Sequence, residues 1–588
     1  MSARQVRVEA RRGPFGQRVA AWALRHEKTA FLLVAVVWVL ALYWGALHAP
    51  FVYDDLAQVV HNPNLHEWSA FSQRFLSTPV AFTSDLGGGA VDAGSTYRPL
   101  YWLTLFADAR LWGLKAAGFH ATNLLLHLTA GWLGFVLLRR LLVRLEVSAM
   151  ASLVWLAMPI DSEVVAWVSG RSYSLCMVFV LLALIAGVRA VEEPTSQNRD
   201  VRPPNFWWFL GYGVASIAAL LSNELGVVVL PLTLVVLCPN DKRGWRRVVP
   251  LGIAWVVSAG VWLGVKVAIG ASSGVHAGVG WNAGAIFWRY VEWMTLPVHM
   301  SVERSTSLPS GGLSWGAAGA IAGVLALGAA CLLLRRRLPL VCAGLAWIMV
   351  GLAPFCGFVK IYQGMAERFV YLGSAGLAFA VVALAFHWRG VVRVALLVSV
   401  TAWVMWGAWR LHTRVKDWGD PVLLYGHSLE ANPKSPSLYF NLAFSFRQEG
   451  DFQGARDAYL DTITLQRDYP HALTSLGELY LQAGLLDDAE KQFVRAIALF
   501  PHDSSAYTNL GVVFNEKQLP EDAARMFDKA IENNATDPVP YFNLAVILQQ
   551  HGHGELALPL YKKVLELVPG DAETLKNMHK IEEAGKRE

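Results

Sequence analysis

Ionisable side chains are costly at membrane depth, so those placed at the ends of long apolar runs are where chemistry is sought first. This chain carries an adjacent acidic pair, Asp54 and Asp55, in "FVYDDLAQVVHNPNL" directly after its first apolar run. Further ionisable residues, Arg98, His120, Asp161, Glu163, Arg171, Glu224, Lys266, Glu367 and Arg368, come from distant segments at the corresponding ends of other runs. Guanidinium groups bind phosphate bidentately, and a desolvated carboxylate is a suitable general base. Together they point to an anionic, phosphate-bearing lipid substrate meeting a base. The chemistry that fits is sugar transfer from a polyprenyl phosphate. A carboxylate takes the proton of an attacking hydroxyl, and arginine stabilises the departing lipid phosphate. A single carboxylate in that role implies inversion at the sugar, because retention calls for a second, nucleophilic one. The plainer readings stay open: the acidic pair as the N-cap of a helix starting near Leu56, and Arg171 and Arg368 as snorkelling anchors. A divalent metal is compatible with the acidic pair but not required, since only that pair is placed to bind one and a lipid monophosphate carries modest charge.

The elements that position these residues are membrane spans. Hydrophobic residues make up 54% of the 588 and include 24 Trp, and mean hydropathy is +0.37, above the range of soluble domains. The apolar runs predict about eleven spans, at 29–48, 119–138, 147–167, 172–190, 206–221, 223–238, 248–268, 316–334, 339–357, 367–387 and 391–410. The first 28 residues hold seven Lys or Arg and two Glu, so they form a cytoplasmic tail. The first run is an uncut anchor or, in the rival reading, a cleavable signal peptide. Segment 97–114, with Arg98, Asp108 and Arg110 among aromatic residues, is read as an interfacial helix. Segment 281–300 is likewise read as not crossing. With these choices the basic clusters at 139–144, 241–247, 335–337 and 387–393 all face the cytoplasm. The external loop 51–118 and the C-terminal region then lie on the opposite side. The formal charge of +5 reflects these loops and does not point to nucleic acid. The five cysteines lie in or beside apolar runs without metal or disulfide spacing.

Beyond residue 410 the composition turns polar and periodic. Leu442, Leu476, Leu510 and Leu544 recur every 34 residues, as do Ala455, Ala489, Ala523 and Ala557, and Tyr459, Phe493, Phe527 and Tyr561. A helix–turn–helix unit of this length looks like a tetratricopeptide repeat. Four units and a solvating end cap are expected over 436–588, with a linker and half-repeat at 411–435. Asn441, Asn509 and Asn543 stand near the position where related arrays clamp a bound backbone, with Ser475 in the second unit. They are acceptor-binding candidates or ordinary polar helix positions.

"FVYDDLAQVVHNPNL", "YRPLYWLTLFADARLWGLKAAGFHATNLLLH" (97–127), "VVAWVSGRSYSLCMVFVLLAL" (164–184), "LLSNELGVVVLPL" (220–232) and "AERFVYLGSAG" (366–376), followed by the array, resemble the transmembrane and tetratricopeptide-repeat O-mannosyltransferases. These are relatives of the protein O-mannosyltransferases with the GT-C fold. The resemblance implies an all-α chain: a GT-C-like membrane domain over 29–410 followed by an α-solenoid. It assigns the base to Asp54 with Asp55 in support, and the donor phosphate to Arg98, Arg171 and Arg368. It places His120, Asn123, Glu224 and Glu367 around the cavity, although for His120, Asn123 and His127, near one helix face, bonding to neighbouring helices is the favoured reading. Asn223 stands where the family often has Lys, so one positive charge is missing from that position. The implied protein is an inverting polyprenyl-phosphate-sugar-dependent O-glycosyltransferase, with mannose the expected sugar and Ser or Thr hydroxyls of an exported protein as acceptors. Its partners would be the lipid donor, the acceptor and membrane lipid. The alternative is a non-catalytic membrane scaffold for envelope assembly. The ending "EEAGKRE" shows no reticulum retention motif, so a bacterial inner membrane with a periplasmic site is expected, or a reticulum membrane with luminal repeats in a eukaryote.

Overall fold

The computed structural model describes residues 24–65, 67–76, 80–81, 95–191, 206–237, 244–270, 280–303, 314–357, 365–469 and 471–585. Most of the tail expected at 1–28, Cys238 and the start of the 241–247 cluster lie outside them. The chain divides into two compact units that meet at Pro433 and Lys434. Among the described residues the only strands are a two-residue antiparallel ladder, Val80–Ala81 with Ser95–Thr96.

The helices of nine or more residues in the first unit are α1 (Glu27–Tyr43), α2 (Pro99–Trp112), α3 (Ala116–Arg140), α4 (Leu145–Trp155), α5 (Arg171–Val191), α6 (Phe206–Ser222), α7 (Val229–Leu237), α8 (Gly244–Ala268), α9 (Ala283–Thr295), α10 (Trp315–Leu334), α11 (Pro339–Leu352), α12 (Tyr371–His387), α13 (Gly390–Trp418) and α14 (Pro421–Ala431). Seven segments are long and apolar enough to cross a membrane, built on α1, α3, α5, α8, α10, α12 and α13. Of the other four expected spans, 147–167 is a pair of helices bent by 53°, and three are shorter apolar helices, Phe206–Ser222, Glu224–Leu237 and Pro339–Phe355. Helices α2 and α9, of 14 and 13 residues, are too short to span. The chain is an integral membrane protein by this count of apolar helices.

The spans sort into an inner and an outer set. In Val168–Val191 and Glu367–His387, 72% of the apolar window is buried within the protein, against 11% in α10 and α13. The inner helices share one core that includes Met177, Leu181, Tyr212, Leu352, Tyr371 and Ala378. Close approach of α11 and α12 depends on small residues: a Cβ on Gly344 would lie 2.7 Å from the Gly376 carbonyl oxygen, and one on Gly376 would lie 2.6 Å from that of Gly344. Several inner spans are interrupted where their polar residues sit. Pro159, which lacks an N–H, opens the second half of the bent pair. Tight turns at Val168–Gly170, Glu224–Val228 and Glu367–Val370 lead directly into α5, α7 and α12. Each interruption brings a charged side chain to the start of a span.

Residues 411–435 correct the reading of a linker with a half-repeat. Helix α13 runs without a break to Trp418, and α14 belongs to the membrane unit. Its helical pattern resembles that of a repeat, but the partners that bury it are α13 and residues 301–303.

The second unit is a tetratricopeptide-repeat solenoid of α15 (Pro436–Glu449), α16 (Phe452–Leu465), α17 (Ala472–Gln482), α18 (Leu486–Leu499), α19 (Ser504–Glu516), α20 (Pro520–Asn533), α21 (Pro538–Gln550), α22 (Gly554–Leu567) and the end helix α23 (Ala572–Gly585). Helix starts are marked by side-chain caps from Ser435, Asp451, Asp503 and Asp537. Within the four pairs the turn residue is left-handed, at Gly450, Gly484, Gln518 and Gly552. Gln518 has a φ of +62°, which costs a side-chain-bearing residue roughly 1–2 kcal/mol, part of which glycine returns as lost chain entropy. Gln518→Gly should therefore stabilise the array by about 0.5–1 kcal/mol, read as a rise in the midpoint of its chemical denaturation; an unchanged or lower midpoint would show that the Gln518 side chain compensates the strain.

Candidate functional site

The acidic pair sits on a tight turn that leaves α1. Tyr53 is left-handed at φ +56°, and the Asp55 and Leu56 N–H groups donate to the carbonyls of Val52 and Tyr53 at 3.1 and 3.2 Å. Asp55 makes no N-cap hydrogen bond to the following turn. Its carboxylate is wholly buried. Oδ1 accepts from the Ser169 N–H and Oγ at 2.9 and 2.6 Å, and Oδ2 from the Val52 N–H at 3.4 Å. Asp55 therefore fastens the loop to the turn before α5, a supporting task that leaves it no access to a substrate. Asp54, half-buried, points to no such clamp among the described residues. Burial pushes its carboxyl up to about 6, with the charge of Arg368 opposing and that of Glu163 reinforcing the rise. Burial pushes Asp55 up to about 7, against the Ser169 hydrogen bonds.

The segment 161–171 carries the partners of this loop. Glu163 forms a buried ion pair with the Arg368 guanidinium and accepts the Arg368 backbone N–H at 2.7 Å. The Trp167 ring meets the Arg368 guanidinium at 5.3 Å and the Tyr53 ring at 5.8 Å. Its backbone is set from α3: Asn123 Nδ2 donates to the carbonyls of Trp167 and Val165 at 2.7 and 3.3 Å. Arg171 in turn donates to Asn123 Oδ1 at 2.8 Å and to the Phe119 carbonyl at 2.8 Å, and pairs with Asp108 at 2.6 Å.

Several expected roles change accordingly. Arg171 has 0% exposure and its nitrogens are spent on α2 and α3, so it is not positioned to meet a donor phosphate. Asn123 and His120 are equally buried and do not line a cavity. The former shapes the Val165–Trp167 backbone, and the Nε2 of the latter donates to the Ala49 carbonyl at 3.1 Å. Glu367 is buried and accepts the Ser301 N–H at 2.6 Å.

Two further cations approach the same region. Arg98, at the start of α2, pairs with Glu224 at 2.7 Å and keeps 17% side-chain exposure. Tyr173 lies within electrostatic reach of both Arg98 and Arg368 and so relates the two. Asn223 caps the Glu224 turn, accepting the Leu225 N–H at 3.1 Å, and donates to Ser172 Oγ at 3.2 Å; a lysine there could not make the cap. The ammonium of Lys266, from the last turn of α8, stands 4.9 Å over the Trp262 ring within electrostatic reach of Glu224. It brings to this corner a positive charge that position 223 lacks. Trp167, Ser169 and Tyr173, unmarked as site residues in the sequence, fall within the quoted "VVAWVSGRSYS" stretch, which was the available signal. Among the described residues no three His, Cys, Asp or Glu side chains cluster as a metal site. The apolar groove between Leu137, Trp155, Met177, Trp347 and Phe379 includes none of these charged residues.

In the array, Glu478 accepts from Arg447 at 2.9 Å and from Asn509 at 3.1 Å, linking three successive units. Asn509 is thus engaged within the array, whereas Asn441 is buried and Asn543 half-buried. All three lie on the first helix of their unit, as the period requires.

A tetratricopeptide-repeat family model matches residues 474–538. The chain is 30% identical over 211 residues to protein O-mannosyl-transferase TMTC3 of Homo sapiens, covering 34% of this chain and 21% of that protein. It is 29% identical over 198 residues to protein O-mannosyl-transferase TMTC2 of Mus musculus, covering 33% and 22%. A longer similarity, 21% identity over 569 residues, extends to protein O-mannosyl-transferase Tmtc3 of Drosophila melanogaster and covers 79% of this chain and 58% of that protein. The chain thus spans less than two thirds of the length of each.

The structural task of Arg171 is open to test. Arg171→Met strands the buried Asp108 carboxylate and should cost about 3–5 kcal/mol, whereas adding Asp108→Leu removes both charges and should recover most of it. Thermal melts in detergent measure both; equal instability of the single and double variants would refute the pairing as the reason for Arg171.

Proposed function

We propose that the chain is an inverting integral-membrane glycosyltransferase that moves a sugar, with mannose the first candidate, from a polyprenyl phosphate to Ser or Thr hydroxyls of an exported protein, and that its repeats hold the acceptor. The observation that carries this reading is the contrast between Asp54 and its neighbours. Asp55, Glu163 and Glu224 are each committed, to Ser169, Arg368 and Arg98, whereas Asp54 is half-buried and raised to about 6 by desolvation. It is thus ionised near neutrality yet a stronger base than an ordinary aspartate. Asp54 takes the hydroxyl proton as the acceptor oxygen forms its bond to the anomeric carbon. The bond from that carbon to the phosphate oxygen breaks, and the electron pair leaves with the lipid phosphate, whose charge is met by Arg98, Arg368 and Lys266. With Asp55 held by Ser169, Glu163 by Arg368 and Glu224 by Arg98, none of these three described carboxylates is available as a second, nucleophilic group, which supports inversion. The names of the similar proteins support the sugar and the reaction class. The positive-inside count supports placing the Asp54 side and the repeats outside the cytoplasm.

Purified protein incubated with a panel of polyprenyl-phosphate sugars and a Ser/Thr peptide should release lipid phosphate. Asp54→Asn should lower kcat by about 10²–10⁴-fold without unfolding the protein; a fully active variant would refute the base assignment. Because the base must be unprotonated and its pKa is raised, activity should fall as pH drops through about 6, rather than near the ordinary carboxylate value. Lys266→Gln should raise the donor KM about tenfold, as expected for loss of one charge-assisted contact, and Lys266→Arg should restore it. A donor KM indifferent to both changes removes Lys266 from the phosphate site. If only deletion of the array, and no change at Asp54, removes biological function, the scaffold reading replaces this one.

A further inference from the structure

Away from its charged end, the membrane unit keeps an apolar groove that its own side chains do not fill. The groove runs between α3, α4, α5, α7, α11 and α12 and holds about 1000 Å³ free of protein atoms, its open side included, at the upper end of ligand-pocket volumes. Its depth follows from the residues that line it. Helices α5 and α12 start at the charged end, at Arg171 and three residues after Arg368, and they contribute Met177, Leu181 and Phe379, about two to three turns inward. Helices α3 and α7 contribute their last turns, with Leu138 and Val236, and α11 its first, with Pro339 and Leu340. The groove therefore extends from mid-depth to the end of the unit opposite Asp54. Nothing along it recognises a polar molecule. The Trp155 and Trp347 indole N–H groups already donate, to Ser374 Oγ at 2.9 Å and to the Leu372 carbonyl at 2.8 Å, and among the described residues Ser152 is the only lining residue with a hydroxyl. Charge appears only where the groove ends. Arg139, Arg140 and Arg144 alternate with the lining residues Leu138, Leu141 and Val143 around the α3–α4 turn, and Arg335, Arg336 and Arg337 stand just before Pro339. The first group is partly answered, since Arg139 pairs with Glu27 at 2.9 Å and Arg144 with Glu146 at 3.0 Å. The second group is exposed, and none of its three guanidinium groups makes an ion pair among the described residues.

From this arrangement we infer that the groove is a binding site for an anionic phospholipid of the adjoining leaflet, with an acyl chain laid between α3, α7, α11 and α12 and the phosphate on Arg335, Arg336 and Arg337. The inference rests on the membrane unit alone and is independent of the proposed sugar transfer. An acyl chain matches a lining without polar groups and supplies the dispersion contacts that an unfilled groove lacks. A phosphodiester matches the arginine cluster, because guanidinium binds phosphate oxygens in pairs, whereas a lipid of zero net charge leaves the charge of that cluster uncompensated. Basic residues are expected on the cytoplasmic side for topology alone, but topology does not require them at both lips of one groove. The position also separates this lipid from the donor of the proposed reaction, whose phosphate is assigned to Arg98, Arg368 and Lys266 at the other end of the unit.

The test uses the full chain, purified in detergent, stripped of lipid and mixed with phosphatidylglycerol or phosphatidylcholine of equal chain length. Native mass spectrometry should show phosphatidylglycerol bound at a concentration about tenfold or more below that needed for phosphatidylcholine, since each arginine near an anionic lipid contributes about fivefold. Thermal melts should rise with phosphatidylglycerol more than with phosphatidylcholine at equal concentration. Arg335→Gln, Arg336→Gln and Arg337→Gln together should abolish the preference, and lysine at the same three positions should retain it. Ala343→Phe, which fills the groove from α11, should remove the bound lipid. The arginine changes lie on an exposed turn and leave the packed helices untouched, so they decide the matter even if Ala343→Phe misfolds. Equal affinity for the two lipids overturns the inference, as does a preference that persists in the glutamine variant. Loss of binding with Ala343→Phe but not with the glutamine variant makes the occupant an uncharged chain, and tighter binding of undecaprenyl phosphate than of phosphatidylglycerol makes the groove a seat for the donor tail; either result also overturns it.

Discussion

A guanidinium removed from water must have its charge and its donors answered by protein atoms, and Arg171 is such a group. The answers come from Asp108 on α2 and from Asn123 and the Phe119 carbonyl on α3. Asn123, once oriented by Arg171, has its amide free to hold the carbonyls of Val165 and Trp167. That fixes the irregular backbone between the bent span and α5. Ser169 on this backbone then receives Asp55, which locates the loop and leaves Asp54 beside the Arg368–Glu163 pair. The geometry around the proposed base thus follows in sequence from one buried ion pair.

The charges near Asp54 are divided in a way that a list of ionisable residues does not reveal. Asp108, Glu163 and Glu224 each have an arginine within ion-pairing distance, and each pair joins segments far apart in the chain. Such pairs contribute little net stability when buried, because desolvation offsets attraction. Their effect here is to dictate which segments meet. Interruptions at Pro159, Asn223 and Ala366 allow it: regular helix would turn these residues around the span, whereas a break brings them to one end.

Legibility in the sequence tracked the distance between interacting residues. The solenoid was readable because every contact that defines it recurs within one 34-residue period, and the spans because hydropathy is local. The left-handed turns at Gly450, Gly484, Gln518 and Gly552 keep the same period. Partner assignment was not legible. Arg171 and Arg368 look alike in sequence, each following a short polar motif at the start of a span; only the fold shows the first sealed among α2 and α3 and the second beside Asp54. The misreading of 411–435 has the same origin. Its helical pattern suits a repeat, but the residues that bury α14 lie at 301–303, more than a hundred positions upstream.

Glu163 bears on how strong a base Asp54 can be. A lone Arg368 beside a half-buried carboxylate would hold the proton off and make Asp54 a weak base, however well aimed. With Glu163 paired to Arg368 and its own charge acting on Asp54, the arginine's effect is partly offset and desolvation prevails, leaving the carboxyl at about 6. The same guanidinium lies against the Trp167 and Phe369 rings, so the pair that sets the charge beside Asp54 is held in place by apolar packing as well as by Glu163.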